Sequence, residues 1–228
     1  MISATPRVFI VIAAYNEGQA IAQVVGGLLP VYSDIVVVDD GSIDDTARAA
    51  LAAGATVLQH PVNLGQGAAL QTGIDHALHQ GAGYVVTFDA DGQHSPADVQ
   101  ALLTAMAAAD ADVALGSRFL GRAIGLDKKR RLLLRVAVLF TNMTTGARLT
   151  DAHNGLRVFS RRAAELIRIR QNRMAHASEI IEQIVRHELR IVEVPVTITY
   201  SVYSRAKGQK LANSIGIVLD LLIGKLHR

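Results

Sequence analysis

The feature that most restricts this chain is a repeating alternation. Strand-forming runs at Val8–Ala13, Ile35–Val38, Thr56–Gln59, Tyr84–Phe88 and Val113–Leu115 are separated by helical patterns over 17–29, 45–53, 66–79 and 96–109. Short connections between such elements predict an α/β fold, a mostly parallel sheet covered by helices on both faces. Ligands of such sheets sit outside the carboxyl ends of the strands, near the point where strand order reverses. Asp44 or Asp45 can cap the second helix, and Ser95-Pro96 reads as a cap followed by proline at the first helical position. The second half is less regular: a long apolar helix over 130–147, a strand at Leu156–Phe159 and a helix from Ser178 to about Glu188. Extended segments Ile191–Val194 and Val196–Tyr200 follow. Internal repeats, low-complexity tracts and an obvious linker are not seen.

Composition narrows the class. A chain of 228 residues, half of them hydrophobic and only 4% aromatic, suits helices packed on a sheet in one domain. The absence of cysteine removes disulfides and thiolate chemistry and fits a reducing compartment. The opening MISATPRVFIVIAAYNE lacks a basic leader and a cleavage pattern, so a first strand rather than a signal peptide is expected. No stretch reaches the roughly 18 to 20 apolar residues a bilayer span requires. The net charge is only +3, but Lys128, Lys129, Arg130, Arg131 and Arg135 fall within eight residues. Such a run is ordinarily a solvated face, with anionic lipid or phosphate the next reading. Few aromatic stacking platforms argue against nucleic acid. At the end of the chain Leu211, Ile215, Val218, Leu219, Leu222, Ile223 and Leu226 recur at helical spacing. That stripe suits either a helix docked on the core or one lying in a membrane surface, with Lys210, Lys225 and Arg228 near lipid phosphates.

Three strand endings carry acids: Ala13-Ala14-Tyr15-Asn16-Glu17, Val38-Asp39-Asp40-Gly41-Ser42, and Asp89-Ala90-Asp91-Gly92-Gln93-His94. In a parallel sheet all three lie on one edge, where they repel one another unless hydrogen bonds or a cation offset them. Asp89 and Asp91 supply hard oxygen ligands suited to Mg²⁺ or Mn²⁺, with Gln93 a further neutral oxygen. A calcium loop starting at Asp89 is excluded, because its sixth residue would be His94 rather than glycine and its twelfth Gln100 rather than glutamate. Asn63-Leu64-Gly65-Gln66-Gly67 matches neither common phosphate-loop fingerprint, which rejects a dehydrogenase. Its glycines instead let a turn pass close to a neighbouring ligand or helix.

YNE, VVVDDGSIDDT, NLGQGAA, DADGQH, GSRF and DAHNGLRVF occur in an order and spacing that resemble the family 2 inverting glycosyltransferases. The likeness covers roughly residues 7 to 210 and points to the polyprenyl-phosphate branch, which is dolichol-phosphate mannosyltransferase-like. It implies a type A glycosyltransferase fold with a Rossmann-like sheet, a nucleotide-sugar donor (UDP- or GDP-linked) and a polyprenyl phosphate acceptor. By motif, Ala13, Tyr15, Asn16 and Glu17 line the nucleotide pocket, and Val38 and Asp40 read the base. Asp89, Ala90 and Asp91 meet the diphosphate through Mg²⁺ or Mn²⁺, with Gln93 beside them. Arg118 resembles an arginine that meets phosphate; Arg131 and Asn154 complete the acceptor side. Arg205 and Lys210 resemble a basic segment closing over the donor, with Lys207 an alternative to Lys210. Two departures stand out: Ala13 replaces the family's usual proline, and Lys210 lies one residue nearer to Arg205 than is common.

The implied reaction is an in-line attack on the anomeric carbon, with nucleoside diphosphate leaving and the configuration inverted. Asp91, Arg118 and Asp151 are the expected catalytic residues, Asp151 as base or as organiser of the acceptor. His153 and Arg157 read first as structural. Glu179 reads as an acid at a helix start or facing the acceptor cleft. Residues 1–210 are expected to form the catalytic domain and 211–228 an amphipathic helix. The basic run and that helix together would give peripheral attachment to the inner face of the cytoplasmic membrane, with an anionic surface or a small membrane protein as partner. The rivals are a same-fold enzyme acting on a saccharide hydroxyl, a sugar-phosphate nucleotidyltransferase, and a non-catalytic nucleotide-sugar binder. The nucleotidyltransferase would normally open with a glycine-rich basic loop, whereas this one is Ala-Ala-Tyr-Asn-Glu.

Overall fold

A computed structural model of the chain describes residues 6–173 and 175–200. One seven-stranded sheet is formed by β1 (Val8–Ala14), β2 (Asp34–Asp39), β3 (Thr56–Gln59), β4 (Tyr84–Asp89), β5 (Val113–Ile124), β6 (Arg157–Ser160) and β7 (Ile191–Thr199). The helices are α1 (Ile21–Leu28), α2 (Thr46–Ala52), α3 (Gln66–His79), α4 (Pro96–Ala108), α5 (Lys128–Thr145), α6 (Arg161–Leu166) and α7 (His176–Arg186). Strand order is β3-β2-β1-β4-β6-β5-β7. All neighbours are parallel except β6, which runs antiparallel to both β4 and β5.

The order reverses between β1 and β4. β1 leads outward to β2 and β3, and the chain then crosses back to lay β4 on the other side of β1. At that junction Ala13 is in register with Val38 of β2 and with Asp89 of β4. The carboxyl ends of β1, β2 and β4 therefore share one edge, as the sequence predicts.

Alternation along the strands builds two cores. Ile10, Ile12, Val86 and Phe88 pack with Val25 and Leu28 of α1 and Val99 and Leu102 of α4. Phe9, Val11, Val85 and Phe159 pack on the other face with Leu70 and Ile74 of α3 and Ile180, Ile181 and Ile184 of α7. Each such buried side chain contributes about 1.5–3 kcal/mol, so a one-residue slip of register would be prohibitive.

The first half matches the expected elements closely, with α1 starting later, at Ile21. The residues before it form a loop bonded to the end of β2 instead. Asp44, not Asp45, supplies the side-chain bond at the start of α2, accepting from the Thr46 amide at 3.0 Å. The second half departs more. β5 runs to Ile124 rather than stopping at Leu115, carried by pairing to β7 across a register shift between Ser117 and Arg122. β7 is one strand through Pro195, where two segments were expected. It is the edge strand, and Pro195 is exposed, so proline's missing N–H leaves no partner unsatisfied. The short helix α6 was not foreseen; Ser160 Oγ caps it, accepting from the Ala163 amide at 3.1 Å. Among the described residues no helix is long and apolar enough to cross a membrane. Arg205, Lys207, Lys210 and the segment 211–228 lie outside the described residues.

Candidate active site

The loops that leave β1 and β2 are bonded into one ledge. The Asn16 amide donates to Ser42 Oγ at 2.9 Å, while Asn16 Oδ1 accepts from the Ile43 amide at 2.9 Å. The Glu17 amide donates to Thr46 Oγ1 at 2.8 Å and Gly18 to Asp44 Oδ2 at 3.1 Å. Asn16 has φ of 53°, a left-handed conformation that asparagine tolerates better than most residues. Tyr15 is 46% exposed on this ledge.

The acids that end β2 are satisfied within the chain. Asp39 accepts from the Ser42 amide at 3.1 Å and from Gln59 Nε2 at 3.3 Å. Asp40 is buried, and its carboxylate meets His60 Nδ1 at 2.7 Å and the Leu64 and Gly65 amides at 3.0 and 2.7 Å. His60 Nε2 in turn meets Thr72 Oγ1 at 2.9 Å. Asp40, expected to read the base, thus faces the 60–65 turn and fixes it. Val38, also expected to read the base, lies wholly inside the core. Ala90 is likewise a core residue.

Beyond that turn, Gly65 and Gly67 meet the backbone of 171–173. A Cβ at Gly65 would sit 2.2 Å from the Asn172 carbonyl oxygen, and one at Gly67 would sit 2.1 Å from that of Gln171. The Gly67 amide donates to the Asn172 carbonyl at 2.8 Å. The glycines therefore do let a turn pass close to a neighbour, which is another segment of the chain.

The acids that end β4 differ from each other. Asp89 Oδ2 meets His94 Nε2 at 2.8 Å, and Gln66 Nε2 reaches Oδ1 at 3.5 Å. Burial alone would raise the Asp89 carboxyl, but the His94 bond and charge, with Arg157 and Arg118 further off, hold it below its usual value. Asp91 is pushed up to about 6 by burial and by the negative charge of Asp89, with Glu17 adding to it. Gln93 donates to Asp91 through its amide at 3.1 Å and through Nε2 at 2.5 Å. The side chain expected to turn an oxygen toward a metal instead offers its nitrogen to Asp91.

Strand β5 and the loop before β6 centre on a buried ion pair. Arg118 Nε donates to Asp151 Oδ2 at 2.6 Å, the Arg118 amide to the same oxygen at 3.1 Å, and Nη1 to the Tyr200 hydroxyl at 2.7 Å. Burial would lower Arg118, but Asp151 and Tyr200 raise it, and it stays charged. Asp151 Oδ1 accepts from the His153 amide at 3.3 Å. Glu193 holds the preceding loop, accepting from the Thr150 and Asp151 amides at 2.9 and 3.1 Å. Asn154 is buried, with Oδ1 accepting from Leu156 at 3.0 Å and Nδ2 unpartnered. Next to it, Gly155 lies against Asp89: a Cβ there would fall 2.2 and 2.3 Å from the two carboxylate oxygens. Arg157 is buried and lowered to about 10 by that burial; its hydrogen bond is to the Ala152 carbonyl at 3.5 Å. Burial also holds His153 below its ordinary value, consistent with a structural imidazole. Glu179 accepts from the Arg170 and Gln171 amides at 3.0 and 2.8 Å, so it ties a loop to the first turn of α7.

The basic run forms the first half of α5. Arg130 stacks over the Tyr200 ring at 5.2 Å and so joins the Arg118 cluster, whereas Arg131 is exposed on the helix surface. Tyr200, His94, Gly155 and His60 were missed as site or supporting residues. The last three lie inside or beside the quoted motifs; His94 meets Asp89 of its own motif, while the neighbours of Gly155 and His60 come from other parts of the chain.

Among the described residues no group of three or more His, Cys, Asp or Glu is placed to hold a metal. The protein offers two hard carboxylates, and burial and the Asp89 charge raise Asp91, effects that a bound cation would offset. That donor set fits a divalent cation whose remaining positions are filled by phosphate oxygens and water.

The sequence profile described as "Glycosyl transferase family 2" matches residues 9–168. A UDP-N-acetylglucosamine–dolichyl-phosphate N-acetylglucosaminyltransferase of Methanococcus voltae is 30% identical over 97% of this chain and 97% of its own. An undecaprenyl-phosphate mannosyltransferase of Micrococcus luteus is 32% identical over 84% of this chain and 83% of its own. Glucosyl-3-phosphoglycerate synthase of Mycobacterium tuberculosis, crystallised with Mn²⁺ and UDP-glucose, superposes with a TM-score of 0.75 at 20% identity. That match covers 96% of this chain and 77% of that one.

Proposed function

The chain belongs to glycosyl transferase family 2, and we propose that it moves a hexosyl unit from a UDP- or GDP-linked sugar to a polyprenyl phosphate. The observation that carries this reading is the nearness of two unlike sites, one after β4 and one on β5 and the loop before β6, close enough for the Arg118 charge to act on Asp89. An acidic pair, Asp89 and Asp91, stands on one side, and a buried Arg118–Asp151 pair on the other.

On this reading the ledge of Ala13, Tyr15, Asn16 and Glu17 receives the nucleotide. Asp89 and Asp91 hold the divalent cation, Mg²⁺ or Mn²⁺, with Gln93 adjacent. When bound, that cation neutralises charge on the departing diphosphate, an effect worth several kcal/mol in enzymes generally. A lipid phosphate is ionised at neutral pH, so the acceptor needs a positive group to position its oxygen more than a base to deprotonate it. Arg118 supplies the charge. Asp151, bonded to Arg118 and to its own loop, suits an organiser rather than a base. The phosphate oxygen attacks the anomeric carbon in line, the sugar–diphosphate bond breaks, and the configuration inverts.

The surface of α5 supports an acceptor held at a membrane. Leu132, Val136, Leu139 and Met143 are 65, 53, 59 and 77% exposed at spacings that place them on one helical face. Lys128, Lys129 and Arg135 flank that stripe, a pattern that fits an anionic lipid surface. Full-length protein is expected to pellet with anionic vesicles at low salt, and Leu132→Ser with Met143→Ser to reduce this at least severalfold. Equal recovery in the supernatant for both proteins would refute the membrane face.

The transfer itself is tested with radiolabelled donors and polyprenyl phosphate. Label is expected in the organic extract only when lipid phosphate and Mn²⁺ or Mg²⁺ are both present. Label that stays aqueous unless a saccharide is supplied would show a hydroxyl acceptor instead.

A further inference from the structure

Asp89 is held on three sides by elements distant from one another in the chain. Gly155, before β6, presses its backbone on both carboxylate oxygens; Gln66, at the start of α3, reaches Oδ1; and His94, before α4, meets Oδ2 at 2.8 Å. The His94 side chain is 2% exposed and packs edge-on against Phe88, with ring centroids 5.4 Å apart. Its other nitrogen, Nδ1, is buried with no hydrogen-bond partner among the described residues.

That unpartnered nitrogen is informative. A buried polar atom left without a partner costs about 1–3 kcal/mol. If position 94 served packing against Phe88 alone, an apolar side chain of similar size would do so without that cost. What the imidazole contributes that leucine cannot is the bond from Nε2–H to Asp89.

We propose that His94 is a positioning residue, which fixes the Asp89 carboxylate, a side chain still 32% exposed, for the donor's divalent cation. The inference rests on the reading that Asp89 and Asp91 hold that cation. His94 acts only through Asp89. Its Nε2–H holds Oδ2 in place, and the absence of a side chain at Gly155 leaves room for the carboxylate there.

The full-length protein, His94→Leu and His94→Gln are compared by titration with MnCl₂ in the presence of UDP or GDP, read by electron paramagnetic resonance of free Mn²⁺. Thermal unfolding is measured alongside. His94→Leu is expected to weaken Mn²⁺ binding about 10- to 100-fold, the usual effect of losing a partner of a metal ligand. Its unfolding temperature is expected to fall modestly, because Asp89 loses the bond that favours its charged form, a cost that removal of the unpartnered nitrogen offsets only in part. Glutamine places a donor near the position of Nε2 and is expected to restore binding to within about threefold of wild type. Wild-type affinity in folded His94→Leu would overturn the proposal, as would failure of folded His94→Gln to restore binding. If His94→Leu does not fold, binding by His94→Gln decides. Should the unaltered protein bind no Mn²⁺ with either nucleotide, the reading of the acidic pair falls, and this inference with it.

Discussion

The half of the sheet built from β1 to β4 and the half built from β5 to β7 solve the same problem by different means. In the first, three acids at strand ends each find a partner within five residues, while Asp40 is met by His60, Leu64 and Gly65, 20 to 25 residues on. Asp39 bonds Ser42, Asp91 bonds Gln93, and Asp89 bonds His94. In the second, the partners are remote: Arg118 reaches Asp151 33 residues on and Tyr200 82 residues on, and Asp112 meets Arg190 78 residues on. Parallel strands joined by helices return the chain repeatedly to one edge, so a short motif carries most of its own surroundings. An antiparallel β6 inserted between β4 and β5 breaks that regularity, and the site there is assembled from long-range contacts. On the proposed reading, the contrast leaves the donor side largely to compact motifs and the acceptor side to tertiary packing.

Removing Asp151 tests this contrast most severely. Asp151→Ala leaves Arg118 charged and buried, and is expected to destabilise the fold by about 3–5 kcal/mol in urea unfolding. Replacing both partners, Arg118→Met with Asp151→Leu, should recover much of that stability without restoring transfer. A loss below about 1 kcal/mol for Asp151→Ala would show that the second half does not depend on its remote pair.

A pH titration probes the same half. His176, at the start of α7, is lowered from 6.5 to about 4 by burial and by the nearby positive charge of Arg157. The folded state keeps the ring neutral, so its contribution is complete above about pH 6.5. Between there and about pH 4 the unfolded chain binds more protons, and stability falls, by about 3 kcal/mol in all. His176→Asn retains a donor for the Arg173 carbonyl but does not titrate, and should flatten that slope in unfolding measured at stepped pH.

In the first half, activity and stability should separate. Asp91→Ala is expected to slow transfer about 100-fold or more, equivalent to about 2.7 kcal/mol. Its unfolding midpoint should hold or rise, because a carboxyl that already resists ionisation is removed. Near-normal turnover by folded protein would dismiss the acidic pair as the donor's anchor.

The smallest expected effect lies where the halves touch. Gly155→Ala drives a methyl group into the Asp89 carboxylate and should cost about 1–3 kcal/mol of stability. Activity should fall about tenfold, and more than in a control substitution at exposed Gly26, which has open space around it. Unchanged kinetics would mean that Asp89 moves without consequence, and that the two halves are coupled only loosely.

Much of the fold was legible beforehand because hydrophobic period and strand length are local quantities. β1 to β4 and α2 to α4 lie within a residue or two of their expected bounds, since each is an uninterrupted apolar pattern ended by Gly, Asp or a Ser-Pro cap. β5 was cut short at Gly116 because its last residues are held by pairing to β7 rather than by their own pattern. α6 is six residues long, too short for a period to show, and rests on the Ser160 cap. The site divides in the same way. Asp89 and Asp91 stood out as paired acids after a strand, whereas Asp40 was assigned to the base without sight of His60 and the amides that surround it. Tyr200 gave no signal at all, since its partners Arg118 and Arg130 lie in other parts of the chain.

The sequence by itself determined the alternating α/β plan, the gathering of acids on one edge and the family. Those follow from residue periods and from motif spacing within a few tens of positions. Only the tertiary structure decided that Asp40 braces a turn while burial and the Asp89 charge raise Asp91. It also decided that Asp151 is paired with Arg118, and that His94 and Gly155 close around Asp89. A carboxylate's role is set by which donors and charges come within about 3 Å of it, and chain folding, not order along the chain, fixes that neighbourhood.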